Sequence, residues 1–141
     1  MIKRKLDRYV QVLSNIDDFQ DKFLWIMDFG KNSRAMSDDH KVKSFEVPGC
    51  QSQTWLVPHF IDDKIYFTAD SAALISKGMV CIIADVYSGS SAQEIKEFDQ
   101  KKFDKMNLST LLTPGRNNGV HSMLKKVKFY AKKEDNNKVA V

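Results

Sequence analysis

Residues Asp70–Tyr87 read DSAALISKGMVCIIADVY. From Ala72 onward this stretch is apolar on nearly every side, with Ala73, Leu74, Ile75, Met79, Val80, Cys81, Ile82, Ile83 and Val86. A helix that is apolar all round belongs in the centre of a core, with other elements wrapped around it. Asp70 and Ser71 are good cap residues for its start. Gly78 costs about 1 kcal/mol of helix propensity against alanine, which points to close packing at that position. The apolar run Met79–Val86 contains Asp85 and falls far short of the ~20 residues that cross a bilayer.

The flanking segments supply the wrapping. Upstream, Gln53–Phe60 and Lys64–Ala69 alternate in the manner of strands, and Asp62-Asp63 between them reads as a hairpin turn. Ser44–Val47 is expected to add a third short strand. Before that, Leu6, Tyr9, Val10 and Leu13 have helical spacing, as do Phe19, Phe23, Ile26 and Met27, with Asn15–Asp18 as cap residues and Gly30 as the stop. Lys31–Lys43 reads as a loop with at most a helical turn. Downstream, Ser91–Glu94 matches a capping box. Leu108–Leu112 reads as a turn, and Thr113-Pro114 opens a final helix striped by Val120, Met123, Leu124, Val127 and Ala131. The order is α+β: a small antiparallel sheet of about three strands packed with several helices. With 141 residues, one domain is expected over 1–132, followed by a tail at 133–141.

Composition narrows the function. Hydrophobic content is 43% and charged content 28%, ordinary for a soluble protein. No apolar run follows the basic MIKRKLDR start, so the expectation is a cytoplasmic protein with no membrane association. The net charge of +4 is concentrated at Met1–Arg8 and Lys125–Lys138, without interleaved aromatics, which argues against nucleic-acid binding. Two cysteines, Cys50 and Cys81, exclude a CxxC pair and a cysteine-rich zinc site by count.

Cys81 lies mid-helix, where a free cysteine acts as a small hydrophobe. Cys50 lies in VPGCQSQTW (Val47–Trp55), where Pro48-Gly49 allows a sharp bend and Gln51, Ser52 and Gln53 keep the position polar. It is either a packed residue or a presented thiol. His40, His59 and His121 are the choices for a catalytic base, and none forms a recognisable pair with Cys50. Arg116, in LTPGRNNGV (Leu112–Val120), is either solvated or held to meet a carboxylate or favour a thiolate. Asp70 is a helix cap on the simplest reading.

Taken together, VPGCQSQTW, FTADSAALISKG (Phe67–Gly78) and LTPGRNNGV resemble the SufE family of sulfur-acceptor proteins, and the resemblance runs from about Leu6 to Ala131. It implies a compact fold similar to IscU-type scaffolds and a role in iron–sulfur cluster assembly. Cys50 would take persulfide sulfur from a SufS-like, pyridoxal-phosphate-dependent cysteine desulfurase, stimulate that enzyme, and pass the sulfur to a SufBCD-like complex through its SufB-type subunit. The pyridoxal phosphate belongs to the desulfurase, so no cofactor and no metal are expected here. Gly49, Gln51, Ser52, Trp55, Asp70, Lys77 and Arg116 fall in the matching motifs and would support the Cys50 loop or meet the partner. Ala72 and Gly115 depart from the family pattern, which commonly has aspartate and serine there. A homodimer is compatible with the family. The alternatives are a CsdE-like acceptor serving a different desulfurase, an adaptor that docks without transferring sulfur, and a Cys-His hydrolase.

Overall fold

The computed structural model describes residues 1–139. The helix that organises it is α3, Leu74–Tyr87, within which Val80, Ile82, Ile83, Val86 and Tyr87 are fully buried. Around it lie α1 (Ile2–Ser14), α2 (Phe19–Lys31), a hairpin of β1 (Thr54–Ile61) and β2 (Lys64–Ser71), a short α4 (Ala92–Glu97), and a long α5 (Pro114–Val139). Full burial of one such aliphatic or aromatic side chain contributes roughly 1.5–3 kcal/mol, so α3 anchors the core.

The hairpin is antiparallel, with Ile61 opposite Lys64 and Thr54 opposite Ser71 at its far end. Asp62 and Asp63 both take positive φ, 50° and 63°, as the favoured two-residue turn demands. Ile65, Phe67 and Ala69 alternate inward on β2. The sheet has two strands rather than three. Lys43–Phe45 winds into a 3-10 turn, which leaves Glu46, bridging Trp55, as the remnant of the expected strand.

Three other expectations shift. Gly30 does not stop α2, which runs to Lys31 and is capped at Asn32. It lies instead at the crossing of α2 and α3: a Cβ there would sit 2.5 Å from the Gly78 nitrogen, and one on Gly78 would overlap the Ile26 carbonyl. Asp70 and Ser71 end β2 rather than capping α3, whose N-cap is Ala73. The last helix continues through Val139, past the expected end near Lys132, and Lys96 pairs with Asp135 at 2.8 Å along the extension. Residues 140 and 141 of the expected tail lie outside the described residues.

Three local readings are met. Ser91 and Glu94 form a reciprocal capping box, a 3-10 turn covers Asp38–His40, and another spans Leu108–Thr110 before α5. Lys5 fastens α1 to the end of α3 through the carbonyls of Asp85 and Ser88, at 2.9 and 2.8 Å. Among the described residues no helix is long and apolar enough to cross a membrane.

Candidate functional site

The Cys50 loop leaves the sheet and returns to it. Its base is closed by the Val47 N–H donating to the Thr54 carbonyl at 2.7 Å. Gly49 takes φ +83°, the left-handed conformation that a Pro-Gly turn asks of its second central residue. The return is tied down by hydroxyls. Thr54 Oγ1 donates to the Ser52 carbonyl and meets Ser71 Oγ, both at 3.0 Å, while Ser71 Oγ donates to the Gln53 carbonyl at 2.9 Å. The Ala72 N–H reaches that same carbonyl at 2.9 Å. The loop is therefore braced at its roots, with Cys50 at its bend.

That bend rests on α5. The Cys50 thiol points at the Gly119 carbonyl, Sγ to O 3.8 Å, and a Cβ on Gly119 would lie 3.4 Å from the sulfur. One turn earlier, the Gln51 side chain lies over Gly115, where a Cβ would overlap its amide. The two glycines, at i and i+4, present a flat strip of helix to the loop. A serine at 115 would crowd Gln51, so the departure from the family pattern is matched by the side chain that fills its place.

Cys50 opens onto a cavity of about 60 Å³ lined by Ile75, Met79, Leu112, Val120 and Met123 together with Ser52, Gly115 and Arg116. Among the described residues no histidine or carboxylate lines it. The thiol is half-buried, and burial pushes its pKa above the ordinary 9.0, with Thr54 pulling weakly the other way. Its half-burial and the absence of a histidine or carboxylate among the described lining residues favour the protonated thiol.

Of the residues the sequence singles out, the structure gathers Gly49, Cys50, Gln51, Ser52 and Arg116 at this site. Arg116 is half-buried and its guanidinium lies 5.8 Å over the Phe23 ring; its backbone N–H meets Thr113 Oγ1 at 3.3 Å. Trp55, Asp70 and Lys77 form a different cluster. Asp70 is 5% exposed and accepts the N–H groups of Met36 and Ser71, at 3.2 and 2.8 Å. It pairs with Lys77 at 3.4 Å and Lys41 at 3.6 Å, and Lys41 sits 5.5 Å over the buried Trp55 ring. Burial alone would raise the Asp70 carboxyl, but those N–H groups and Lys77 overcome it and hold it below its usual range. This cluster stitches the 33–41 segment to the sheet and α3.

Sequence reading missed Thr54, Ser71 and Gly119 at the site. The signal for Gly119 was present: glycines at 115 and 119 inside a helix each cost about 1 kcal/mol of propensity, which makes close approach the expected reason for them. His40 and His59 lie together, ring centroids 5.9 Å apart, beside a separate cleft of about 600 Å³ that Cys81 also lines. Among the described residues no group of three or more His, Cys, Asp or Glu is placed to hold a metal ion.

Comparison with known proteins adds to this geometry. Residues 7–131 match the model of the SufE family, described as an Fe-S metabolism associated domain. The chain is 33% identical over 132 residues to an uncharacterized SufE-like protein of Rhizobium etli, covering 90% of this chain and 89% of that one. It is 31% identical over 126 residues to the cysteine desulfuration protein SufE of Wigglesworthia glossinidia brevipalpis, covering 88% of each. The solution structure of a hypothetical protein from Thermus thermophilus shares the fold, with a TM-score of 0.74 at 14% identity, covering 92% of this chain and 94% of that one.

Proposed function

The chain belongs to the SufE family of iron–sulfur metabolism, and on that premise we propose that it is a sulfur acceptor in which Cys50 takes sulfur from a cysteine desulfurase and hands it on to an iron–sulfur assembly complex of the SufBCD type. A relative 31% identical is named for cysteine desulfuration, which supports this class of partner.

The transfer balances without any external oxidant. The Cys50 thiol loses its proton, and the thiolate attacks the outer sulfur of the partner's cysteine persulfide. A new S–S bond forms on Cys50 as the partner's S–S bond breaks, and the partner's cysteine leaves as a thiolate that takes up a proton. One sulfur atom has moved, with no net change in oxidation state. The acceptor then becomes the donor in the next exchange. Such chemistry asks for access and a thiolate but for no base, metal or cofactor on this chain. Any pyridoxal phosphate stays with the desulfurase.

The observation that carries the reading is the half-buried Cys50 at the bend of a braced loop, beside a cavity of about 60 Å³ that has no histidine or carboxylate in its lining. That space exceeds the roughly 10–15 Å³ a water-sized probe requires, so there is room for an added sulfur beside Cys50. In this reading the partner draws the loop out for transfer. A Cys-His hydrolase built on Cys50 is disfavoured, because among the described residues no histidine lines its cavity.

Mass spectrometry after incubation with a cysteine desulfurase and free cysteine tests the proposal. A gain of one or more sulfur atoms mapped to Cys50 is expected. An unmodified chain in a stable complex would instead identify an adaptor that docks without transferring sulfur.

A further inference from the structure

We propose that the groove between α2 and Leu111 is the docking surface for the desulfurase, which fills it with an apolar side chain flanked by a carboxylate. The inference rests on the sulfur-acceptor reading and adds where the partner binds. Phe19 and Leu24 project from α2 with 52% and 53% of their surface exposed. With Phe23, Met27 and the buried Leu111 they line a groove of about 390 Å³. Phe19, Phe23 and Met27 recur every four residues, so they form one ridge of the helix. Contiguous exposed apolar side chains of this size mark interaction sites on soluble domains.

Two observations decide the occupant. The first is continuity with the thiol. Leu111 lines the groove while its neighbour Leu112 lines the Cys50 cavity, and Arg116 spans the seam, lying over Phe23 on one side and lining the cavity on the other. A protein seated in the groove is thereby brought to the mouth of Cys50. The second is charge. The Arg116 guanidinium stacks on Phe23, and among the described residues no carboxylate pairs with it. A fixed cation at the edge of an apolar groove is complemented by an acidic side chain beside an apolar one. A second copy of this chain seated there would cover the entrance that an acceptor has to leave open.

The test uses Leu24→Asp and Phe19→Ser, at exposed positions where the fold tolerates polar residues, with circular dichroism melts as the folding control. Stimulation of a purified cysteine desulfurase is titrated against each variant. The half-saturating concentration should rise about tenfold or more, the loss expected for a central apolar contact. The plateau of stimulation and the sulfur gained by Cys50 at saturation should be unchanged. If a stimulating parent and its folded variants share one half-saturating concentration, the docking surface is overturned and the acceptor reading survives. If the parent itself neither stimulates nor gains sulfur, the acceptor reading fails and this inference with it. Sedimentation gives the remaining outcome: a parent dimer that Leu24→Asp converts to monomer without altering half-saturation assigns the groove to self-association and overturns the proposal.

Discussion

Cys50 and Cys81 are two thiols in similar chemical surroundings on different frames. Burial pushes both above their ordinary pKa. Both face a backbone carbonyl, Gly119 for one at 3.8 Å and Ala69 for the other at 3.6 Å. Both line cavities, and the larger space and the two histidines belong to Cys81. The frame separates them. Cys50 sits at the bend of a loop that is braced at its roots and rests on α5 through Gly115 and Gly119. Cys81 is locked into the helix that organises the core. On the proposed reading, a thiol that meets another protein's persulfide needs the first kind of frame, whereas cavity size alone would point to Cys81.

Exchanging each thiol for a hydroxyl is the strongest way to break this comparison. Cys50→Ser should abolish both the sulfur gain and the stimulation of a desulfurase. Cys81→Ser should keep both within about twofold, losing roughly 1 kcal/mol of stability as a polar atom replaces a core sulfur. Loss of transfer in folded Cys81→Ser, or stimulation by Cys50→Ser equal to the parent's, would reverse the assignment of the two thiols.

The frames themselves differ in tolerance. Gly78→Ala drives a methyl into the carbonyl of Ile26, which is backbone and cannot swing away. Urea melts should show a loss at the upper end of the overpacking range, about 3 kcal/mol or more. Gly115→Ala meets only the far end of the Gln51 side chain, which can rotate aside, so its cost should stay near about 1 kcal/mol or below. Equal losses at the two positions would mean that the Cys50 loop is as rigidly seated as the helix crossing.

The Asp70 cluster sharpens the contrast by being near in sequence and separate in role. Asp70→Asn should cost about 1–3 kcal/mol, because a buried, charge-assisted set of hydrogen bonds is weakened. Transfer by the folded variant should be retained. The carboxyl is held below its usual range, so its stabilising contribution is present above the ordinary pKa of about 3.9 and is lost as pH falls through the lower, folded value. The stability gap between parent and Asp70→Asn should accordingly close in acid.

How far the sequence reaches follows the same division. The core helix, the hairpin with its two-aspartate turn and the capping box are local patterns, and periodicity and turn chemistry reveal them. The failures are tertiary. Gly30 looks like a helix stop because no single segment records that Gly78 packs against it. Asp70 looks like a cap because Lys41 and the Met36 N–H, its partners, come from a segment without periodicity. Ser44–Val47 looks like a strand, but Lys43–Phe45 winds into a 3-10 turn and leaves it one bridge. At the site, Cys50 and Arg116 stand out through their motifs, whereas Gly119 matters only because a loop 69 residues away lies on it. The final helix outruns its apolar stripe, since Lys96 and Asp135 hold the extension from the outside.

The smallest effect separates the two thiols by pH. A raised thiol pKa means less thiolate than in the unfolded chain at any pH below the folded value. Iodoacetamide should therefore modify Cys50 more slowly in the folded protein than in the chain unfolded by guanidinium, by about severalfold at neutral pH. As pH climbs past the folded pKa both forms become fully ionised, and the part of the gap due to ionisation disappears. On the proposed reading, in which the partner draws the loop out, the remainder for Cys50 should be small. Cys81 shares the direction of the shift, but its access is limited by the intact helix at every pH, so its gap should persist into alkali. Cys50 catching up while Cys81 lags would place the difference in the frame rather than in the acidity of the sulfur. Identical narrowing at both positions would instead make burial alone responsible, and the loop would lose its claim to be the movable part.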